Sequence, residues 1–588
     1  MKRILTLVLL TACVSTSAPQ VPAPQPIEKL FADFTDEWMR TNPNAVSSSR
    51  YFTGEEQTRY ERQLTAETDA YRRSRTQLAR RGLAELRKFD RAKLPDTLRV
   101  SADLMEWQLE TFIREEPFLD HSFPLNQFNG VNVNLVETLT VRRAVANERD
   151  ASNYLAALGQ AGRRMEEVIA EARRLTAKNM IPPRFIVQAT ITQMKQFIAM
   201  PASDNPLVTT FDQRMAAASI AERTRTQLRA DAARIVTNDV YPAWQKAIAL
   251  LEPLVSRATD DAGIWRLNDG SEAYSHFLRR FTTTNLTPDQ IHEIGLREVA
   301  RIEGEMDAIL RRLGRTQGSL KERIAKLRAD LAYPLTEEGR TRIMADVDQM
   351  LRDAEKRSQS LFDQRPKSPV IAQPFPRFRE ANAAANYNSP AQDGSRPGVF
   401  QIPLRPERMT KFSLRSLVYH ETIPGHHFQI AFQVENKSLP RFRQLGAFGG
   451  ISALVEGWAL YAERLASESG WYEGDLEGQL GQLDSALFRA RRLVVDTGIH
   501  AKRWTRQQAI DYGIEASEVE RYVVNPGQAC SYMIGQLKIV ELRDKARKAL
   551  GSRFSLNAFH NTVLNTGTVP LELLERQVDG YIRTAAGN

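Results

Sequence analysis

One short stretch, Val418 to Ala431, constrains the folding of this chain more than any other part of its sequence. It reads VYHETIPGHHFQIA and places three of the chain's eight histidines beside the acid Glu421. Proline has no backbone N–H, and its ring clashes with the carbonyl four residues earlier, so Pro424 interrupts a helix that begins before it. Gly425 then permits backbone angles that other residues avoid. The stretch therefore predicts a helix broken at a Pro-Gly step, with histidines on both sides of the break.

His420 and Glu421 begin like a metal-binding helix, in which two histidines one turn apart face the same zinc ion. Pro424 occupies the position of the second histidine, so a later histidine would have to be the second metal ligand. An unbroken helix advances about 100° per residue, which returns His427 to the face of His420. The Pro-Gly step instead permits His426 to turn toward the metal. The alternative to a metal site is a histidine cluster that caps a helix and bonds loops.

The segment HETIPGHHFQ resembles the HExxPGHxxQ signature of the DUF885 family, a group of bacterial proteins similar to gluzincin-type zinc metallopeptidases. The resemblance extends to NYNSPAQDGSRPGVF (386–400), EGWALYAE (456–463), VVDTGIHAKRW (494–504) and RYVVNPGQACSYMIG (521–535). It implies a mostly helical, peptidase-like fold and defines no substrate. It also favours His426 over His427, because the first histidine after Pro-Gly is the one that recurs in the pattern.

The segment ISALVEGWALYAERLAS (451–467) has the composition of a buried helix, yet it contains the acid Glu456. A buried carboxylate is costly without a partner, and a zinc ion is a sufficient one. Its separation from His420 fits a second helix packed antiparallel on the first. We therefore predict one zinc ion bound by His420, His426 and Glu456, with a fourth position open for water. Glu463 falls near the same face and is predicted to orient a histidine from behind.

These parts predict a zinc hydrolase that acts on a peptide or a small amide. Zinc would polarise a water molecule, and Glu421 would accept its proton and pass it to the leaving amine. The first alternative is a zinc hydrolase of a non-peptide amide or ester, which the same residues would support. The second is a lipid-anchored binding protein that keeps the fold without turnover.

Two later segments are predicted to complete the active-site cleft, and the first of them is a helix. Arg492, Asp496 and His500 repeat at four-residue spacing and share one face of that helix. Asp496 could hold the imidazole of His500, which would then donate to a developing oxyanion or to a substrate carboxylate. The alternative is a buried ion network with a structural role.

The second segment, RYVVNPGQACSYMIG, carries predicted catalytic and substrate-binding residues on both sides of a Pro-Gly turn. Arg521 and Tyr522 precede the turn, whereas Gln528 and Tyr532 lie on one side of the helix that follows. Either tyrosine could stabilise a tetrahedral intermediate, and the sequence leaves that choice open. Arg521 and Gln528 are predicted to contact the substrate.

From Gln364 the chain loses its helical period, and prolines, short β-prone runs and turn dipeptides predict a small sheet. Gly398 to Ile402 is predicted to be an edge strand along which an extended substrate lies, with Asp393 to Arg396 as its turn. Tyr387 and Arg396 are predicted substrate contacts. The alternative is an ordinary hairpin.

The N-terminus predicts export and lipid attachment. Residues 1–12 read as a lipoprotein signal peptide, because Lys2 and Arg3 precede a short apolar run that ends in the lipobox Leu10-Thr11-Ala12-Cys13. Cys13 would carry the lipid, and residues 13–26 would form a flexible tether to the membrane. An ordinary secretory signal is the alternative. Val14 is not an aspartate, so we expect the periplasmic side of the outer membrane if the host has two membranes.

The remaining residues, 27–588, predict a single catalytic domain of the mainly α class. It would have two helical lobes around a cleft, a helical part (27–365) and a metal-site part (366–588). Apolar side chains at three- and four-residue spacing predict helices over Glu61 to Asp90 and Ala151 to Thr176. A capping box at Thr287 begins another. The segment Phe118 to Val136 breaks this rhythm, either as a loop that lines a cleft or as a plain connection.

Composition excludes several other kinds of protein. Hydrophobic residues make up 42% of the chain, which supplies a large core. The net charge is +9, but basic and acidic residues alternate along the chain without a basic tract, so nucleic acid is not an expected partner. Lipidation of Cys13 would leave Cys530 as the single thiol, which excludes an intramolecular disulfide.

Overall fold

The structure is a computed structural model that describes residues 26–375, 377–380, 384–391, 396–407 and 409–587. The predicted signal peptide, Cys13, almost all of the predicted tether and residues 393–395 of the predicted turn lie outside the described residues. Helix makes up 71% of the structure and strand 3%. The predicted mainly α class with a small sheet is therefore confirmed.

The described part of the chain is a long succession of α-helices. In chain order they are α1 (Ile27–Arg40), α2 (Pro43–Ser49), α3 (Gly54–Glu61), α4 (Asp69–Leu86), α5 (Asp96–Arg114), α6 (Val131–Glu137), α7 (Glu148–Leu158), α8 (Ala161–Ala177), α9 (Arg184–Ala199), α10 (Pro206–Ala217), α11 (Glu222–Ile235), α12 (Tyr241–Leu251), α13 (Leu254–Arg257), α14 (Gly270–Thr282), α15 (Pro288–Arg312), α16 (Leu320–Asp330), α17 (Glu337–Ser358), α18 (Arg377–Glu380), α19 (Lys411–Glu421), α20 (His426–Glu435), α21 (Arg441–Leu445), α22 (Ser452–Glu468), α23 (Leu476–Ala501), α24 (Arg506–Asp511), α25 (Ala516–Val524), α26 (Ser531–Leu550), α27 (Leu556–Thr566) and α28 (Leu571–Ala586).

Shorter helical turns connect several of these helices. The 3₁₀ turns are Arg91–Lys93, Glu116–His121, Ala202–Asp204, Ile264–Arg266, Gln528–Cys530 and Gly551–Arg553, and the π-helical turns are Thr138–Arg142 and Val236–Val240. No helix in the described ranges has the length and apolar character that a membrane crossing requires.

The predicted capping box at Thr287 is confirmed. Its hydroxyl accepts a hydrogen bond from the backbone N–H of Gln290, and the Gln290 side chain accepts one from the backbone N–H of Thr287. Two N–H groups that the first turn of α15 leaves without helical partners are thereby satisfied.

Two of the predicted helical runs are interrupted. The run from residue 61 to residue 90 contains a loop, and α4 begins only after Thr68, whose hydroxyl accepts from the N–H of Tyr71. The run from residue 151 to residue 176 divides into α7 and α8 around Gly159. In both places a capping or helix-terminating residue outweighs the continuing apolar period.

The hydrophobic core contains two large clusters. The smaller one is built from residues between Leu64 and Ala258. The larger one joins helices from both ends of the chain, from Ile27 to Val578, and so includes residues on both sides of the predicted division at residue 365. Within it, the indole N–H of Trp38 on α1 donates to the carbonyl oxygen of Ala447 at 3.0 Å.

The sheet has three strands, β1 (Val370–Pro374), β2 (Asn386–Asn388) and β3 (Gly398–Ile402), in the order β1-β3-β2. Strand β1 pairs parallel to β3, and β2 pairs antiparallel to β3. The prediction that Gly398 to Ile402 forms an edge is wrong, because both of its sides are occupied. Of the two edge strands, β2, which carries Tyr387, contacts α20.

Helices α19 and α22 pack antiparallel, as the sequence separation predicted. Ser416, midway along α19, contacts Glu463 late in α22, whereas His420 at the end of α19 also approaches Glu456 early in α22. Helix α26 also packs closely against α22. A β-carbon on Gly535 of α26 would lie 1.8 Å from the carbonyl oxygen of Ala453, so only glycine allows this crossing.

Candidate metal centre

The Pro-Gly step separates α19 from α20 and turns the second helix toward the first. The peptide bond between Ile423 and Pro424 is cis. A β-carbon on Gly425 would lie 2.0 Å from the carbonyl oxygen of His420, so no larger residue fits at this position. The carbonyl oxygen of Pro424 accepts a hydrogen bond from the indole N–H of Trp458 on α22, at 2.9 Å. This hydrogen bond holds the Pro-Gly step against α22, the helix that carries Glu456.

The side chains of His420, His426 and Glu456 converge. Each offers one ligand atom, and these three atoms lie within 4.8 Å of one another. Glu456 Oε2 is 3.4 Å from His426 Nε2 and 3.7 Å from His420 Nε2. Zinc bonds of about 2.0–2.2 Å in a tetrahedral site place ligand atoms about 3.3 Å apart. The donor set and its spacing therefore fit a zinc ion, although the binding of zinc stays a prediction.

Glu463 lies behind His420 and is fully buried. One of its oxygens accepts a hydrogen bond from His420 Nδ1 at 2.7 Å, and the other accepts one from the Ser416 hydroxyl. The guanidinium of Arg489 is 4.0 Å away. Since Nδ1 carries the proton that Glu463 accepts, Nε2 of His420 is left to face Glu456 and His426. This carboxylate–histidine pair is the arrangement that orients metal-binding histidines in proteins.

The electrostatics of the cluster favour a positive charge among the three side chains. Burial opposes charge on His420, but hydrogen bonds from its ring to Glu456 and Glu463 raise its pKa to about 9. Burial likewise opposes charge on Glu456, and the two histidines nevertheless hold its pKa well below the usual range. The same charges would favour a cation bound between these side chains.

Glu421 and His427 adjoin the cluster on either side of the Pro-Gly step. Glu421 is buried, and its carboxylate has no hydrogen bond or ion pair within the described ranges. His427 lies outside the cluster: its Nδ1 is 3.0 Å from the hydroxyl of Tyr387, and burial lowers its pKa to about 4. The alternative of His427 as the ligand is therefore not supported by the geometry, whereas His426 is in place.

The predicted hydrogen bond between Asp496 and His500 is not formed. His500 Nδ1 accepts from the backbone N–H of Ile264 at 3.1 Å, and its Nε2 donates to the carbonyl oxygen of Tyr522 at 3.0 Å. Burial lowers the pKa of His500 to about 3, so the ring is neutral. With both nitrogens bonded to the backbone, His500 has no N–H for an oxyanion, and its predicted catalytic role has to be replaced by a structural one.

Asp496 holds the Pro-Gly turn that follows α25. It accepts a hydrogen bond from the Tyr274 hydroxyl at 2.6 Å and bonds from the backbone N–H of Gly527 at 3.0 and 3.2 Å. Burial raises its pKa to about 7, although these hydrogen bonds oppose the shift. The carboxyl of Asp496 therefore fits the predicted alternative, a buried network with a structural role, better than it fits a catalytic role.

The two candidate tyrosines differ in whether their hydroxyls are available. Tyr522 is buried; its hydroxyl accepts from Arg492 Nε and donates to Glu518, each at 3.0 Å. Tyr532 is partly exposed, and its ring stacks on the guanidinium of Arg492. Its hydroxyl has no hydrogen-bond partner in the described part of the chain. The structure therefore favours Tyr532 over Tyr522 as the hydroxyl that could meet a substrate.

Arg521 and Gln528 are brought together beside α22. Arg521 donates to the side-chain oxygen of Gln528 and pairs with Glu518 at 3.2 Å. Gln528 in turn lies 3.4 Å from the hydroxyl of Ser452, one turn before Glu456 on α22. Gln528 thus contacts the helix that carries Glu456, and Arg521 is connected to that helix through Gln528. Arg396, by contrast, is exposed, with no contact to the cluster in the structure.

Sequence reasoning missed several residues that support the site. Glu518 lies one turn before Tyr522 and binds both arginines of this region, and Arg489 stands behind Glu463. The four-residue spacing of Glu518 and Tyr522 is the sequence signal that could have identified Glu518. Nothing local in the sequence connects Ser416 or Arg489 with Glu463, since these contacts form between helices.

The fold matches solved structures along nearly its whole length. The crystal structure of a "putative lipoprotein from Colwellia psychrerythraea" is 32% identical with a TM-score of 0.87, and the match covers 94% of this chain and 100% of that one. A "putative lipoprotein of unknown function from Shewanella oneidensis" is 19% identical with a TM-score of 0.70, covering 94% and 99%; this second likeness concerns the fold alone. No functionally curated protein matches the chain.

The family comparison agrees with the resemblance that the sequence motifs indicated. The profile of DUF885, described as a bacterial protein of unknown function, matches residues 49–578. The matched range includes every residue of the cluster and most of the helical part that precedes it. The chain therefore belongs to the DUF885 family.

Proposed function

We propose that this protein is a zinc hydrolase of the cell envelope that cleaves peptide bonds. The observation that carries the proposal is the convergence of His420, His426 and Glu456. Glu421, the neighbour of His420 in the chain, is buried and has no hydrogen bond or ion pair among the described residues. Two histidines and one carboxylate with an open position are the donor set of catalytic zinc sites. The resemblance to gluzincin-type peptidases supports the same assignment.

The chain's residues suit the steps of amide hydrolysis. His420, His426 and Glu456 would hold the ion, which when bound supplies Lewis acidity and lowers the pKa of a water molecule toward about 7. Glu421 accepts the proton of the attacking water and returns it to the leaving nitrogen. The hydroxyl of Tyr532 donates to the oxygen that becomes negative in the tetrahedral intermediate. Glu463 keeps His420 in the tautomer that binds metal.

Metal analysis of single variants tests this proposal. We expect about one zinc per chain in the wild type, and its loss in His420→Ala, His426→Ala and Glu456→Ala. His427→Ala is the matched control, because this histidine is bonded to Tyr387, and it should keep the metal. Retention of zinc in Glu456→Ala would remove that residue from the ligand set, and a wild type without metal under zinc-replete conditions would refute the hydrolase.

The general base is tested separately. Glu421→Gln should keep zinc and lose at least about 10²-fold in activity, because the amide has nearly the same shape but accepts no proton from water. The assay is cleavage of a peptide library by the purified protein, with simple amides and esters in parallel. Cleavage of the amides or esters without any peptide cleavage would favour the non-peptide hydrolase. Zinc binding without any turnover would favour a binding protein.

The location follows from the N-terminal sequence and the relatives. The protein from Colwellia psychrerythraea, which is 32% identical to this chain, is described as a putative lipoprotein, and this description supports lipid attachment at Cys13. Metabolic labelling with a fatty-acid analogue should mark the wild type and not Cys13→Ser. Labelling of both proteins would exclude Cys13 as the attachment point.

A further inference from the structure

A cavity of about 330 Å³ lies away from the metal cluster, where the separate core clusters meet. We call it the inter-core cavity. Ile181 of the smaller core, Phe277 of the larger core and Val523 of a third apolar cluster each contribute to its wall. Its volume falls in the range of small-molecule sites, which begin at about 300 Å³. None of the three candidate metal ligands lines it.

The segment Phe118 to Val136 forms one side of this cavity, which settles what the sequence left open. Phe123, Asn126, Asn129 and Val131 line it directly. Phe277 and Phe281 of α14 lie on another side and give that part of the wall an aromatic surface. This segment is thus a wall of a cavity and not a plain connection.

Arg266 is the unusual member of this wall. Its Nε is buried without a hydrogen-bond partner, and the guanidinium has no hydrogen bond or ion pair within the described part of the chain. Burial lowers its pKa to about 10, which still leaves it charged at neutral pH. Asp261 favours the charged form electrostatically, but it forms no ion pair with Arg266 in the described part of the chain. A half-buried cation of this kind loses hydration without gaining a directly bonded anion.

The other charged groups of the cavity already have partners. Arg280 pairs with Glu115, Arg72 with Glu171, and Asp120 with Arg174 and Lys178. Glu67 forms no ion pair with Arg266 in the described part of the chain, and burial and the neighbouring Glu167 raise its pKa to about 7. Of the described arginines that line the cavity, Arg266 is the one without an ion-paired carboxylate.

We propose that the inter-core cavity binds an organic carboxylate with an apolar body, whose carboxylate pairs with Arg266. A guanidinium offers two parallel N–H groups to a carboxylate, which is the geometry of strong charge-assisted pairs. Arg266 is a single cation without an ion-pair partner, so a monocarboxylate matches it better than a phosphate dianion does. The aromatic wall formed by Phe277 and Phe281 contacts the apolar body. This site is independent of the proposed hydrolase activity.

Titration calorimetry of 3-phenylpropionate binding to the full chain in detergent tests the proposal. The uncharged analogue 3-phenylpropanamide is the control ligand. We expect the acid to bind the wild type at least about tenfold more tightly than the amide does, because the amide forms no ion pair. Arg266→Gln should lose about tenfold in affinity for the acid. Arg280→Gln lines the same cavity, but its charge is already paired with Glu115, and it should change that affinity by less than about threefold.

His420→Ala separates this site from the metal cluster, since a carboxylate also binds zinc. Binding of 3-phenylpropionate to His420→Ala should equal that of the wild type. Loss in His420→Ala with retention in Arg266→Gln would place the acid on the metal and overturn the proposal. No binding to the wild type, or equal binding of acid and amide, would overturn it as well. Arg266→Gln removes an unpaired buried charge, so we expect its melting temperature to be at least that of the wild type.

Discussion

Glu463 is the residue on which the geometry of His420 depends most directly. It is fully buried and bonded to both His420 and Ser416. Partners of this kind commonly contribute 10- to 100-fold to metal affinity. Glu463→Gln removes the negative charge that favours a cation nearby, so we expect zinc affinity to fall by about that factor, measured by competition with a chelator.

A control for this variant lies on the same helix. Glu468→Gln removes a carboxylate at the end of α22 that pairs with Arg543, away from the cluster. Zinc affinity should be unchanged in this control. Equal affinities in the wild type and Glu463→Gln would show that His420 is oriented without this hydrogen bond.

Asp496 predicts a pH dependence of stability. Its pKa is about 7 in the folded chain, above the value of about 4 in an unfolded chain. The folded state therefore holds a proton that the unfolded state releases, and this contribution to stability is lost as the pH rises from about 4 to about 7. Between pH 5 and pH 8 we expect the wild type to lose up to about 3 kcal/mol relative to Asp496→Asn. Urea unfolding of both proteins at the two pH values measures the difference, and parallel pH profiles would contradict the shift.

At the scale of single residues, the sequence predicted the cluster better than its surroundings. A carboxylate inside an apolar helix pointed to Glu456, and its seven-residue spacing pointed to Glu463. Helical spacing also placed Asp496 and His500 on one face, but it could not show which groups that face meets. The backbone of Ile264 and Tyr522 reaches His500 first, and those neighbours come from distant parts of the chain.

At the scale of elements, the close crossing of α22 and α26 sets the position of Glu456. We expect Gly535→Ala to destabilise the fold by at least about 2 kcal/mol, because its β-carbon would meet the carbonyl oxygen of Ala453. The two helices would have to separate, so zinc affinity should fall together with stability. Thermal unfolding and zinc titration measure the two effects.

Gly304 on α15 is the matched control for this substitution. It is exposed, and a β-carbon there meets nothing within 4 Å. Alanine in an open helical position stabilises by up to about 1 kcal/mol relative to glycine. Gly304→Ala should therefore be neutral or stabilising and should leave zinc affinity unchanged. Equal destabilisation by both substitutions would refute the packing argument.

The sheet shows a limit of prediction at this scale. Its presence followed from the loss of helical period after Gln364, and the residues of β3 were identified correctly. Which strand lies at an edge depends on strand order, and β1 joins β3 in parallel after a long connection. Local sequence carries no information about that pairing, so β3 was placed at an edge when it is central.

At the scale of the whole molecule, α1 joins the start of the helical part to the metal-site part. Phe31 and Phe34 on α1 pack in tilted orientations against Phe442 and Phe448, at ring separations of 5.4 and 5.5 Å. A fragment that ends at residue 365 would expose this apolar face. We expect residues 27–365 alone to lack a cooperative thermal transition, whereas residues 27–588 unfold cooperatively, as followed by circular dichroism. A sharp transition in the fragment would show that the helical part folds independently.

The helical class was predictable for the whole molecule, because apolar periodicity is a local property that repeats in most segments. Which helices pack into the same hydrophobic core was not predictable. The larger cluster combines α1 with helices several hundred residues later, and no spacing rule connects Trp38 with Ala447. The inter-core cavity follows from that arrangement and was likewise invisible in the sequence.

The hydrogen bonds that orient His420 also affect the order in which this protein would fold and bind a metal. Glu463 and Ser416 orient His420, and the hydrogen bond from Trp458 holds the Pro-Gly step, so these contacts within the chain arrange the candidate ligands. Under the proposed function, the chain would therefore fold before it binds zinc, and metal loading would be the last step of maturation. A pool of folded but unloaded molecules would then become active whenever the metal supply of the compartment rises, with no new synthesis.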